Sequence, residues 1–177
     1  AVLAASIAWA PLQAQAQSRK DTVILGMILE PTSLDPTMAP AAAIGEVVHY
    51  NILEGLTKIN VDGSISPLLA ENWKMDADGK AYTFKLRKGV KFQNGEAFNA
   101  QTAKFSFVRA GAEKSTNKDK RTFATMEIVR AVDEYTLVIV NKELDPDFLF
   151  LMGQATAAMV EPKSADTNVT RPVGTGP

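Results

Sequence analysis

AYTFKLRKGVKFQNGEAF, residues 81–98, carries the strongest fold signal in the 177-residue chain. Tyr82, Phe84 and Leu86 alternate with Thr83, Lys85 and Arg87, which predicts a strand with one buried face. Lys88-Gly89 turns the chain, Val90 and Phe92 continue an apolar face, and Asn94-Gly95 turns it again. Asn99 follows as a candidate N-cap for a helix carrying Ala103, Phe107 and Ala110. Folding accounts for all of these residues, and none is of a kind that catalysis demands.

The same grammar extends outward. Leu56–Val61 predicts a short strand, Asp62-Gly63 a hairpin turn, Pro67–Ala70 a short helical turn, and Asp76–Gly79 a further turn before the opening stretch. Downstream, residues 111–121 are polar, a loop or a helix end. Met126–Val132 and Tyr135–Val140 predict paired strands about an Asp133-Glu134 turn. Pro146 predicts a short helix through Phe148, Leu149 and Met152. After Glu161-Pro162 the chain reads as loop. Upstream, Asp21–Leu29 is an apolar run that reads as a buried strand. Glu30–Pro40 (EPTSLDPTMAP) holds three prolines and predicts a stiff, shaped loop. Ala41–Leu53 places Ile44, Val47, Val48 and Ile52 at helical spacing, with Gly55 as C-cap. The sum is a mixed α+β or α/β chain with several antiparallel hairpins and no internal repeat.

Composition narrows the function. Hydrophobic residues at 46% permit a packed core, while 19 Lys and Arg against 20 Asp and Glu argue against a nucleic-acid binder. With no cysteine and one histidine, thiolate and imidazole metal sites have almost no ligands. His49 reads as a hydrogen-bonded helix histidine. No G-x-S-x-G elbow is present, and Gly174-x-Gly176 lacks what a phosphate loop needs. Asn168-Val169-Thr170 matches a common glycosylation sequon. Neither a catalytic residue, a metal site nor a cofactor is predicted.

The first sixteen residues, AVLAASIAWAPLQAQA, are uncharged, apolar and small, too short for a membrane span of about 20 residues. Ala14-Gln15-Ala16 fits a cleavage signal. The expectation is a partial signal peptide over 1–16 and a mature chain, exported, from about Gln17. The Gly-Thr-Gly-Pro ending and the lack of partners for Asp21–Leu29 suggest a piece of a longer protein. Two features could contact a ligand. One is the loop at the end of the first strand, with a carboxylate, two hydroxyls and free backbone groups together. The other is the basic group Lys118, Lys120 and Arg121 beside Phe123, which is either a solvated loop or an anion contact at a cleft edge.

EPTSLDP at 30–36, ILEGLTKINVDGSISPLLAENWKMDADGKAYTFKLRKGVKFQNGEAFNAQTAKFSF at 52–107, VDEYTLVIV at 132–140 and VGTGP at 173–177 together resemble the peptide/nickel class, family 5, of periplasmic solute-binding proteins of ABC transporters. They occur in the family's order and cover nearly the whole mature segment. The resemblance implies a periplasmic-binding-protein type II-like fold of two main lobes plus an accessory lobe. Residues 17–59 would begin main lobe I, 60–168 would form the accessory lobe, and 169–177 would return to main lobe I. It implies capture of a peptide, or of a nickel chelate, sugar or opine, and delivery to an ABC permease and its ATPase. Membrane contact would come only through the permease. A secreted enzyme with catalytic residues elsewhere, and a sensor on the same fold, are the competing readings. The ligand-contact candidates are Glu30, Thr32, Ser33 and Leu34, then Ala39 and Ile44, then Arg121 and Phe123.

Overall fold

The computed structural model describes residues 24–177, so the expected signal peptide and the start of the first predicted strand lie outside the described residues. Two antiparallel sheets are formed. Strands β1 (Thr57–Ile59) and β2 (Ile65–Pro67) make a small ribbon, and β3 (Ala70–Met75), β4 (Ala81–Leu86), β5 (Met126–Asp133) and β6 (Thr136–Asn141) make a four-stranded sheet in the order β3-β4-β6-β5.

The alternation in 81–86 holds. Tyr82, Phe84 and Leu86 are buried on β4, opposite Ile139 and Leu137 of β6. Helix α2 (Ala100–Gly111) covers this face with Ala103, Phe107 and Ala110. Fully burying a side chain such as Phe84 contributes roughly 1.5–3 kcal/mol. The turns at Asp62-Gly63, Asp76–Gly79, Lys88-Gly89 and Asn94-Gly95 form as predicted, while the β5–β6 turn falls on Glu134-Tyr135, one residue later than expected, because Asp133 still pairs with Thr136. The Asp76 carboxylate accepts the N–H groups of Lys80 at 3.0 Å and Ala81 at 3.1 Å. At the Asn94-Gly95 turn, Gly95 takes φ 88°, a left-handed value that a β-carbon disfavours. Asn99 caps α2: its Oδ1 accepts from the N–H groups of Gln101 and Thr102, and the Thr102 hydroxyl accepts the Asn99 N–H.

Five further expectations are corrected. Helix α1 (Ala42–Val48) stops five residues before Leu53, because His49 is extended and Tyr50 takes φ 64°. Gly55 caps nothing; a Cβ there would lie 2.8 Å from the Met152 carbonyl oxygen, so the glycine serves a close backbone approach. Pro67 ends β2 and opens no helical turn, since the N–H groups of Leu68 and Ala70 both donate to Leu56 O. Within the polar 111–121 stretch a short helix begins, α3 (Lys120–Ala124), which buries Phe123. Residues 24–29 form no strand and are exposed, with Ile28 at 100%. Their apolar character has no partner among the described residues. Downstream, α4 (Phe148–Leu151) forms where Pro146 predicts a helix. Asn168 is fully buried, so the sequon is not presented to a glycosylating enzyme.

Candidate functional site

The Glu30–Pro40 loop is shaped by one buried charge. Asp35 is 0% exposed, and its Oδ2 accepts from Arg109 Nη2 of α2 at 2.9 Å. Its Oδ1 accepts from the Thr37 N–H at 2.9 Å and the Thr37 hydroxyl at 2.5 Å. Arg109 also donates to Thr37 Oγ1 and to Ala165 O. A carboxylate this deep is sustained only when paired and hydrogen-bonded on both oxygens. Thr116 then donates to Met38 O, fastening the far end of the loop to the segment after α2.

That fastening builds a cavity of about 240 Å³. One wall is the loop, through Pro36 and Ala39–Ala41; a second is α1 with its C-cap, contributing Ala42, Gly45, Glu46 and His49. Lys118 and the Gln154–Thr156 turn close it. The last two are tied together, as Asn117 Nδ2 donates to Thr156 O at 2.9 Å and Thr156 Oγ1 donates to Asp119 at 2.6 Å. Gly45 permits this spacing: a Cβ there would stand 3.3 Å from the Ala155 Cβ.

His49 is the α1 C-cap, with its N–H donating to Gly45 O. Its ring stacks on Tyr50 at 3.8 Å between centroids and 24° between planes. Tyr50 is fixed in turn, because its hydroxyl donates to Gly153 O and accepts the Ile59 N–H, both at 3.2 Å. A non-glycine residue in the left-handed region costs roughly 1–3 kcal/mol, and these contacts hold it there. The predicted hydrogen-bonded helix histidine is therefore corrected: Nε2 of His49 is buried without a partner among the described residues. Burial holds its pKa down at about 4, so the imidazole is neutral at pH 7.

The structure scatters the sequence candidates. Ala39 lines the cavity. Ile44 is fully buried behind the wall, in a cluster with Val48, Leu53 and Ala158. Leu34 packs partly on that cluster, and its N–H donates to Val169 O at 2.8 Å. The Ser33 hydroxyl is occupied by the Asp35 N–H at 3.0 Å, while Glu30 and Thr32 are exposed outside the cavity. Arg121 lines a separate groove with Glu143 and Asp145. Phe123 is a core residue stacked on Phe107 at 6.1 Å, with no face left for a solute. Of the basic group, Lys118 reaches the cavity edge. Sequence reasoning missed Glu46, His49, Gln154 and Thr156 as wall residues. The spacing of Glu46 and His49, one helical turn apart, was the available signal.

The fold of antiparallel sheet and capped helix matches solved solute-binding proteins. The PBP AgaA in complex with agropinic acid, from A. tumefacien R10, has a TM-score of 0.76 at 28% identity, covering 84% of this chain and 30% of that one. NikA from Brucella suis in complex with Fe(III)-EDTA has a TM-score of 0.69 at 28% identity, covering 82% and 30%. The fold is thus that of a periplasmic-binding-protein type II-like class. The chain belongs to the family described as bacterial extracellular solute-binding proteins, family 5 Middle, matched over residues 64–177. The glutathione-binding protein GsiB of Pectobacterium atrosepticum is 32% identical over 182 residues, 99% of this chain and 35% of that protein. The chain therefore spans about a third of the length of the relatives it matches.

Proposed function

We propose that this chain belongs to the extracytoplasmic solute-binding subunit of an ABC importer, capturing a peptide or a related small solute and delivering it to a permease and its ATPase. Residues 17–59 and 169–177 would belong to the first main lobe and 60–168 to the accessory lobe. The observation that carries the reading is the cavity between Ala39, His49, Lys118 and Thr156, polar on several sides and pinned by buried hydrogen bonds. The family membership of residues 64–177 supports it. Relatives named for glutathione, agropinic acid and Fe(III)-EDTA point to carboxylate-bearing solutes. Closure of a second lobe over such a wall would couple binding to delivery. On this reading the protein is periplasmic and performs no catalysis.

Native mass spectrometry of the complete protein, purified undenatured from its own periplasm, tests the reading. A ladder of peptide masses supports peptide capture, and one sharp adduct supports a specialised solute. A spectrum free of adducts, with no binding to added peptides, glutathione or opines, overturns it.

A further inference from the structure

Tyr50 is the one non-glycine residue in the left-handed region among the described residues, at φ 64°. Residues held in that way cluster at working sites and persist only where their neighbours over-determine them. Glycine or asparagine would take the same turn with less strain, so what tyrosine adds is its side chain. That side chain joins three segments. Its hydroxyl donates to Gly153 O and accepts the Ile59 N–H, both at 3.2 Å. Burial raises its pKa, so the phenol keeps the proton it donates at pH 7. Its ring stacks on His49 and carries the Lys58 ammonium 5.6 Å from its centroid.

Two of those segments run directly into cavity walls. His49 stands in the α1 wall, and Gly153 immediately precedes the Gln154–Thr156 wall. Ile59 of β1 abuts Gly153, since a Cβ on that glycine would lie 2.7 Å from Ile59 Cγ1. The Gln154–Thr156 wall is bonded on its other side to Asn117 and Asp119. Toward α1, the Tyr50 hydroxyl makes the one hydrogen bond between residues 42–50 and 153–156 among the described residues.

We propose that Tyr50 is a positioning residue for solute capture: its hydroxyl, held between Gly153 and Ile59, fixes the spacing of the α1 and Gln154–Thr156 walls before a solute arrives. The assignment rests on the solute-capture reading above. Walls already in place need less ordering when the cavity fills, so the strain at Tyr50 is offset by a preorganised site.

The test is the dipolar coupling between two nitroxides on the complete protein after exhaustive dialysis, with no solute added. The labels sit on the facing walls, at Glu46→Cys and Gln154→Cys. This chain has no cysteine of its own, and the singly substituted proteins report any label attached elsewhere. With Tyr50 intact, one narrow distance distribution is expected. Tyr50→Phe keeps the ring and removes both hydroxyl hydrogen bonds; the distribution is expected to broaden and shift to longer separations. Tyr50→Asn, which accepts the left-handed turn without a phenol, stands in should the Phe variant fail to fold, and is expected to broaden it likewise. Asn99→Ala removes the α2 cap, a loss of stability remote from this junction, and is expected to leave the distribution unchanged. A distribution already broad with Tyr50 intact, one that the loss of the phenol leaves unaltered, or one that Asn99→Ala changes equally overturns the assignment. Each of those results leaves solute capture standing, because the native spectrum decides it separately.

Discussion

Asp35 and His49 are both partly or wholly withdrawn from water, with opposite consequences. Asp35 is buried and answered on both oxygens, so Asp35→Asn leaves Arg109 without its counter-charge. Urea unfolding of the complete protein is expected to show a loss of about 3 kcal/mol, the usual cost of breaking one side of a buried pair. His49 is unanswered on one nitrogen. Its folded pKa of about 4 lies below the ordinary 6.5, so between these values the unfolded chain takes up a proton that the folded chain refuses. Stability from this group is therefore intact above pH 6.5 and falls as the pH drops toward 4. The slope is at most about 1.4 kcal/mol per pH unit and is lessened by the ring's partial exposure. Melting temperatures of wild type and His49→Phe are expected to converge or cross between pH 7 and pH 5, with the wild type losing more. Parallel curves would show the ring to be ordinarily solvated.

The elements nearest the opening stretch test the local code. Asn99→Ala removes the acceptor for two N–H groups at the start of α2 and is expected to cost about 1 kcal/mol, while Asn99→Ser retains most of the cap. Strand β4, its flanking turns and α2 were legible because each is specified within a few residues: alternation, Asn-Gly, Asn99 with Thr102. Other elements were not, because distant residues decide them. The end of α1 is set by Tyr50, whose left-handed turn depends on Gly153 and Ile59. Pro67 is held in β2 by pairing with Thr57. The shape of the loop after Glu30 was not legible because the Asp35–Arg109 bond that sets it forms across 74 positions. His49 and Lys118 meet at the cavity for the same kind of reason. Gly174 shows the strongest dependence on distance: a Cβ there would lie 1.8 Å from Ile52 O. Gly174→Ala is thus expected to destabilise the protein by at least about 1–3 kcal/mol, the range for overpacking, read by thermal unfolding.

At the scale of the molecule, residues 24–29 are an apolar run that the rest of the described chain leaves uncovered, with Ile24 at 91% and Leu25 at 82% exposure. Such a strand-capable segment is a template for association. The 177-residue chain alone is expected to self-associate in light scattering, and Ile28→Lys to reduce it; unchanged scattering would place the contact elsewhere. The contacts that complete this architecture also join remote parts of the polypeptide. Tyr50 bonds Gly153 across 103 positions, and Thr175 bonds Glu54 at 2.8 Å across 121. The α1 segment therefore cannot settle until nearly the whole of this chain has left the ribosome. High sequence separation slows folding, so the α1 segment is expected to order late, after the locally specified β4 and α2, and until then it stays open to whatever holds nascent chains.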